Sequence, residues 1–67
     1  MMKYIHFKIG DCVLLVTNTD IPITGIIRYI YSGSDGSIWY ETEYLAQENV
    51  NEYPIISLFE KKDLILL

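Results

Sequence analysis

Residues 26–44 of this chain read IIRYIYSGSDGSIWYETEY, which is two apolar and aromatic runs separated by a polar segment. The runs 26–31 and 38–44 are rich in β-branched and aromatic residues, which favour β-strands. The segment between them contains only Ser, Gly and Asp, and includes Asp35-Gly36. Glycine tolerates the positive φ angle that a tight hairpin turn requires. The stretch therefore predicts an antiparallel β-hairpin.

The second strand of this hairpin shows a regular alternation of side chains. Successive side chains of a strand point to opposite faces of the sheet. The alternation predicts one buried face and one solvated face, formed respectively by Ile38, Tyr40, Thr42 and Tyr44 and by Trp39, Glu41 and Glu43. The ring of Trp39 is therefore expected to lie beside two carboxylates, with apolar area exposed.

Three further apolar runs of strand length flank the hairpin, at 13–16, 55–59 and 64–67. Turn-forming or charged residues separate the runs, at 10–11, 17–22, 49–54 and 60–63. The charged segment 60–63 is short enough for a tight turn or one helical turn. A further turn of helix is an alternative for 44–49. The intervals leave no obvious place for a helix of ten or more residues.

These intervals predict a single all-β domain over residues 1–67. Five short antiparallel strands that curl into a small barrel bury one face and protect their edges, and Gly10, Gly25 and Gly36 suit the bends. The predicted core takes apolar residues from every strand: Val13, Leu15, Ile27, Ile30, Tyr40, Leu58 and Leu64.

The order of these landmarks resembles a known family across residues 7–64. The landmarks are Phe7 and Gly10-Asp11 before the first strand, Gly25 at the start of the second, Trp39-Tyr40 in the third, and an acidic turn that ends in Asp63-Leu64. This layout is similar to the SH3-like barrels of the KOW and Tudor type, as in small bacterial and phage proteins. The resemblance implies a five-stranded antiparallel SH3-like barrel. KOW domains that bind RNA or protein usually expose basic residues near their loops, whereas this chain is acidic there.

The charge balance disfavours nucleic acid as a partner. The chain carries 9 acidic and 5 basic side chains, a formal charge of -4. Phosphate backbones attract clustered Lys and Arg, and only Lys61 and Lys62 are adjacent here. We therefore expect a protein partner.

The sequence offers little for catalysis. Cys12 and His6 are the single Cys and the single His, and a strand cysteine is more often a small buried hydrophobe than a nucleophile. These residues are too few for a structural zinc site, and Glu41 with Glu43 is most simply a solvated strand face. We expect no enzyme activity, no cofactor and no metal.

The sequence also predicts where the protein is located and whether it associates with a membrane. One cysteine cannot form an internal disulfide, which favours a reducing compartment. The longest strongly apolar run, 12–16, is far too short to span a bilayer, and the first residues lack the apolar core of a signal peptide. We expect a cytoplasmic protein with no membrane partner.

Aromatic residues are in surplus for so small a core. The chain has 6 Tyr, 2 Phe and 1 Trp, so some rings must lie at the surface, where they either cap the barrel ends or bind a partner. The predicted partner-binding residues are Trp39, Glu41, Glu43, Tyr29, Tyr31 and Tyr53. The leading hypothesis is a non-enzymatic protein-interaction module of bacterial or phage origin that binds either a second copy or another protein. The alternatives are a nucleic-acid- or ribosome-associated barrel and an acidic inhibitor of a nucleic-acid-binding protein.

Overall fold

Five antiparallel strands form one sheet in the computed structural model, which describes residues 6–16, 22–48 and 51–67. The elements in chain order are β1 (Cys12–Leu15), β2 (Ile23–Ser32), β3 (Ile38–Glu48), β4 (Asn51–Phe59), a 3₁₀ turn (Lys61–Asp63) and β5 (Leu64–Leu66). The predicted all-β fold is confirmed, and of the two alternatives for 60–63, a tight turn or one helical turn, the structure has the helical turn. None of the described residues belongs to a helix long and apolar enough to cross a membrane.

The strand order across the sheet is β4-β3-β2-β1-β5. Consecutive strands from β1 to β4 pair with one another, and β5 returns to pair with the free side of β1. This order is compatible with an SH3-like fold. It leaves β4 and β5 at the two edges of the described sheet.

The β2–β3 hairpin forms where the sequence predicts it, with Ser32 opposite Ile38. The Asp35 carboxylate accepts hydrogen bonds from the backbone N–H of Ser37 at 3.0 Å and from its hydroxyl at 2.6 Å. These bonds lower the pKa of Asp35, the hydroxyl bond most strongly. Gly36 has a φ of 89°, the conformation for which glycine is favoured.

The β3–β4 hairpin is longer than the sequence predicts. Residues 44–48, for which a helical turn was the alternative, continue β3, and β4 begins at Asn51. Leu45 pairs with Pro54 and Ala46 with Tyr53. Main-chain pairing between the two strands therefore overrides the local helix propensity of this segment.

The core lies on one face of the sheet, here called the inner face. Its buried apolar residues are Phe7, Val13, Leu15, Ile27, Tyr40 and Leu64, and Ile30 is partly buried against them. The rings of Phe7 and Tyr40 meet edge to face, with centroids 5.1 Å apart. Thr42 is also buried, and its hydroxyl donates to the Tyr40 carbonyl at 3.3 Å.

Leu58 was predicted to belong to this core, and that prediction is wrong. Its side chain is 52% exposed. The reason is the register of β4: Phe59 lies opposite Tyr40, which faces inward, whereas Leu58 lies opposite Glu41, which faces outward. Phe59 takes the inward position instead, and its ring lies 6.0 Å from that of Tyr44.

Gly25 allows β2 and β3 to approach closely on the inner face. A Cβ atom at this position would lie 2.8 Å from Cγ2 of Thr42 and 2.9 Å from the carbonyl oxygen of Glu43. Both distances are shorter than ordinary van der Waals contact. The glycine at this position is thus required by packing rather than by a bend in the chain.

Leu15 and Leu58 provide a matched test of the two faces, because they are the same residue type in opposite environments. Leu15→Ala should lower the free energy of unfolding by about 2–5 kcal/mol, since Leu15 is 4% exposed and its removal leaves a cavity. Leu58→Ala should cost about 1 kcal/mol or less, as expected at an exposed position. Urea denaturation at low micromolar protein concentration measures both. Equal losses for the two variants would show that the faces are assigned wrongly.

Candidate partner-binding face

The face of the sheet that points away from the core, here called the outer face, collects five of the six predicted binding residues. Alternation along β3 places Trp39, Glu41 and Glu43 there. On β2, Tyr29 is opposite Glu41 and Tyr31 is opposite Trp39, so both tyrosines lie on the same face. The predicted grouping of Trp39 with the two carboxylates is confirmed by this register.

A β-bulge in β2 is responsible for the position of the tyrosines. Ile27 is opposite Thr42, but the next paired residue is Tyr29, opposite Glu41, so Arg28 is the extra residue. The insertion shifts the alternation by one. Ile27 and Ile30 consequently both face inward, and Tyr29 and Tyr31 both face outward.

Three aromatic rings, Tyr29, Tyr31 and Trp39, form what we call the aromatic patch. The Tyr29 and Tyr31 rings are tilted at 45° with centroids 4.9 Å apart. Trp39 is 37% exposed and Tyr29 is 52% exposed. The rings are therefore partly accessible while they are held on two paired strands.

Glu41 is hydrogen-bonded within this patch. The Tyr31 hydroxyl donates to Oε1 of Glu41 at 3.0 Å. This bond raises the pKa of Tyr31, and partial desolvation and the negative charge of Glu41 act in the same direction. Tyr31 is thus a neutral hydrogen-bond donor at physiological pH.

Glu43 is paired with the bulge residue. Nε of Arg28 lies 3.2 Å from Oε1 of Glu43, and both side chains are partly exposed. An ion pair as exposed as this contributes little to stability, about 0–1 kcal/mol. Its effect is to hold both side chains over the outer face.

Two aliphatic side chains extend the outer face beyond what the sequence indicates. Leu58 lies opposite Glu41, and Ile56 lies opposite Glu43. The two carboxylates are thus flanked by apolar groups on the adjacent strand. Sequence reasoning missed these residues because it placed Leu58 in the core, and the run 55–59 is apolar on both faces apart from Ser57, so the sequence holds no signal that could have identified them.

Tyr53 is not part of this arrangement. It pairs with Ala46, which alternates with Leu45 and so lies on the inner-face side of the sheet. Tyr53 is exposed at the far end of the β3–β4 hairpin. The predicted set therefore separates into five residues on the outer face and one on the other side.

Cys12 differs from expectation as well. The side chain was expected to be buried, but it is exposed, because Cys12 occupies an outward position at the start of β1, beside the inward Val13. It lines a groove of about 460 Å³ together with Ile26, Glu43 and Leu45. Among the described residues, no three His, Cys, Asp or Glu side chains are grouped so as to hold a metal ion.

Comparison with protein-family models, with curated proteins and with solved structures finds no match to this chain. The geometry of the outer face is therefore the basis for a functional assignment.

The hydrogen bond between Tyr31 and Glu41 gives a pH-dependent prediction. Glu41→Gln should move the pKa of Tyr31 down toward its ordinary value, because the neutral amide no longer opposes formation of a phenolate. NMR titration of the labelled Tyr31 ring measures this shift. Glu43→Gln is the matched control and should leave the pKa of Tyr31 unchanged, since Glu43 pairs with Arg28.

The same bond predicts how stability changes at alkaline pH. A pKa that is higher in the folded state stabilises the fold below the unfolded tyrosine pKa of about 10, and this contribution is lost as pH rises through the folded value. Wild type should therefore lose more stability than Glu41→Gln above pH 10. An unchanged Tyr31 pKa in Glu41→Gln would show that the hydrogen bond does not form in solution.

Proposed function

We propose that this chain is a non-enzymatic protein-interaction module that binds a protein partner through its outer face. The observation that carries the proposal is the aromatic patch, with Leu58 and Ile56 beside it on the adjacent strand. A rigid group of aromatic and aliphatic side chains that remains accessible is a typical feature of protein interfaces. Strands hold these side chains in place before binding, which lowers the entropic cost of association.

The charges on this face favour a partner with a basic rim. Glu41 and Glu43 lie between the aromatic patch and the aliphatic residues of β4. The chain as a whole has a formal charge of -4. A partner that presents an apolar centre with Lys and Arg around it would be complementary in both respects.

The finer assignment of the fold rests on the resemblance to KOW and Tudor barrels. We propose that the sheet is an SH3-like barrel of this type from a bacterial or phage protein, supported by the strand order and by the 3₁₀ turn before β5. A cytoplasmic location agrees with a single cysteine, Cys12, whose side chain is exposed as a thiol.

An acidic inhibitor is a second candidate within the same class. Its support is the pair of carboxylates on the outer face, which would match a basic nucleic-acid-binding surface on another protein. The two candidates differ in the partner and not in the surface used. A nucleic-acid-binding role lacks comparable support, because Arg28 on this face is already paired with Glu43.

Trp39→Ala should abolish capture of the partner from a bacterial lysate, because it removes the largest ring of the aromatic patch. The isolated domain should lose only about 1 kcal/mol, the upper range for a cross-strand aromatic pair. Glu41→Lys should also weaken capture, by placing a positive charge against the basic rim. Tyr53→Ala is the matched control on the other side of the sheet and should leave capture unchanged.

The lysate experiment is run with and without nuclease, and the recovered proteins are identified by mass spectrometry. The proposal is supported if one partner is recovered regardless of nuclease and is lost in Trp39→Ala. If that partner is a nucleic-acid-binding protein, the result supports the acidic-inhibitor candidate. Recovery of many proteins that depends on nucleic acid would contradict it. So would equal loss in Tyr53→Ala and Trp39→Ala.

A further inference from the structure

The open edge of β4 is the feature that the proposed function leaves unexplained. β4 has β3 as its single neighbour in the described sheet and runs from Asn51 to Phe59. Proteins usually protect such an edge with charges, proline or bulges. Residues 53–59 contain no charged side chain, and the proline at position 54 lies near one end. The part of the edge from 55 to 59 therefore lacks these protective features.

The direction of the main-chain groups can be followed across the sheet, beginning at β2. The N–H of Ile27 donates to the Asp11 carbonyl at 3.0 Å, and the Ile27 carbonyl accepts from Gly10 at 2.7 Å. Ile27 thus directs its main-chain groups toward the β1 side. Because these directions alternate along an antiparallel strand, Ile26 directs its groups toward β3.

The same alternation of main-chain groups continues through β3 to β4. Ile26 is opposite Glu43, so the main-chain groups of Glu43 point toward β2 and those of Tyr44 point toward β4. Tyr44 is opposite Ile55, which therefore bonds back toward β3. It follows that Ile56 and Leu58 direct their N–H and C=O groups outward, away from the sheet.

The position of Pro54 independently supports this direction of the main-chain groups along β4. It falls in the same outward row as Ile56 and Leu58, where its missing N–H removes no bond to β3. Proline is tolerated in sheets at this kind of edge position.

We propose that β4 pairs antiparallel with β4 of a second copy of this chain, about a two-fold axis at Ser57. In this register Ile56 of each copy is opposite Leu58 of the other, and each such pair exchanges both main-chain hydrogen bonds. Pro54 is then opposite residue 60, which lies outside β4. The proline therefore does not interrupt the new ladder.

The side chains of β4 match this arrangement. Ile56 and Leu58 are 56% and 52% exposed on the outer face and would cover one another across the axis. A formal charge of -4 makes two copies of this chain repel each other on balance. Residues 53–59 carry no charged side chain, so the paired edge segments bring no like charges into direct opposition.

The symmetry of the contact predicts a dimer rather than a filament. β4 pairs with itself, so the interface uses the same surface on both copies and is closed. The other edge strand, β5, has only 3 residues, Leu64–Leu66. The two sheets become continuous, and both aromatic patches face the same side, which would present any partner with two binding sites.

Cysteine cross-linking tests the register directly. Ser57 lies on the axis as a non-hydrogen-bonded pair, whose Cα atoms are about 4.5 Å apart, within the range that a disulfide spans. In a Cys12→Ser background, Ser57→Cys should form a covalent dimer under mild oxidation. Ser34→Cys, in the exposed β2–β3 turn, is the matched control and should stay monomeric.

A charge exchange tests the same register without cysteine. Ile56→Lys and Leu58→Glu each alter an exposed side chain, so both variants should fold and each should dimerise at least tenfold more weakly than wild type. An equimolar mixture should recover dimers, because Lys at 56 then lies opposite Glu at 58. Sedimentation equilibrium measures all three samples and wild type.

Several results would overturn the inference. One is a wild-type chain that remains monomeric at about millimolar concentration, which is the weak end of specific association. The others are equal cross-linking of Ser57→Cys and Ser34→Cys, and assemblies larger than a dimer. The inference does not rest on the proposed function. Trp39→Ala should lose the partner and keep the dimer, so loss of the dimer in that variant would place the contact at the aromatic patch instead.

Discussion

The β-bulge at Arg28 is the constraint on which the two faces of this sheet depend. Ile27 pairs with Thr42 and Tyr29 with Glu41, so one residue of β2 has no partner on β3. Regular alternation from Ile27 would send both Tyr29 and Tyr31 into the core. The bulge instead retains Ile30 on the inner face and places both tyrosines beside Trp39. One inserted residue therefore decides which side chains stabilise the fold and which remain available for binding.

The two faces are held in different ways. The inner face is stabilised by burial of a few large side chains and by the close approach of β2 and β3 at Gly25. On the outer face, polar contacts join neighbouring strands, from Tyr31 to Glu41 and from Arg28 to Glu43, and the rings of Tyr29 and Tyr31 lie against each other along β2. The polar contacts orient exposed side chains and contribute little to the free energy of unfolding. The proposed association with a partner would cover the apolar groups that the fold leaves exposed on this face.

The hairpin at 26–44 and the alternation of β3 could be predicted because turn residues and a strict polar and apolar period are visible in the sequence. The bulge could not be predicted, since Arg28 looks like an ordinary outward residue until its lack of a partner on β3 is known. Leu58 was misplaced because the run 55–59 is apolar on both faces apart from Ser57. Its pattern therefore does not show which side chains face the core. The extension of β3 to Glu48 depends on pairing with β4, a long-range contact that local propensity does not contain.

The assignment of the two faces is tested most directly by cross-strand nuclear Overhauser effects measured on the monomer at low concentration. We expect contacts from the Trp39 indole to the Tyr31 ring and from Glu41 to Leu58. Contacts from Phe7 to Tyr40 are expected on the opposite face, and together these results would support the assignment. Contacts from the Trp39 indole to Phe7 or Ile27 would contradict it, because they would mean that the strands are in the opposite phase and that the aromatic patch is part of the core.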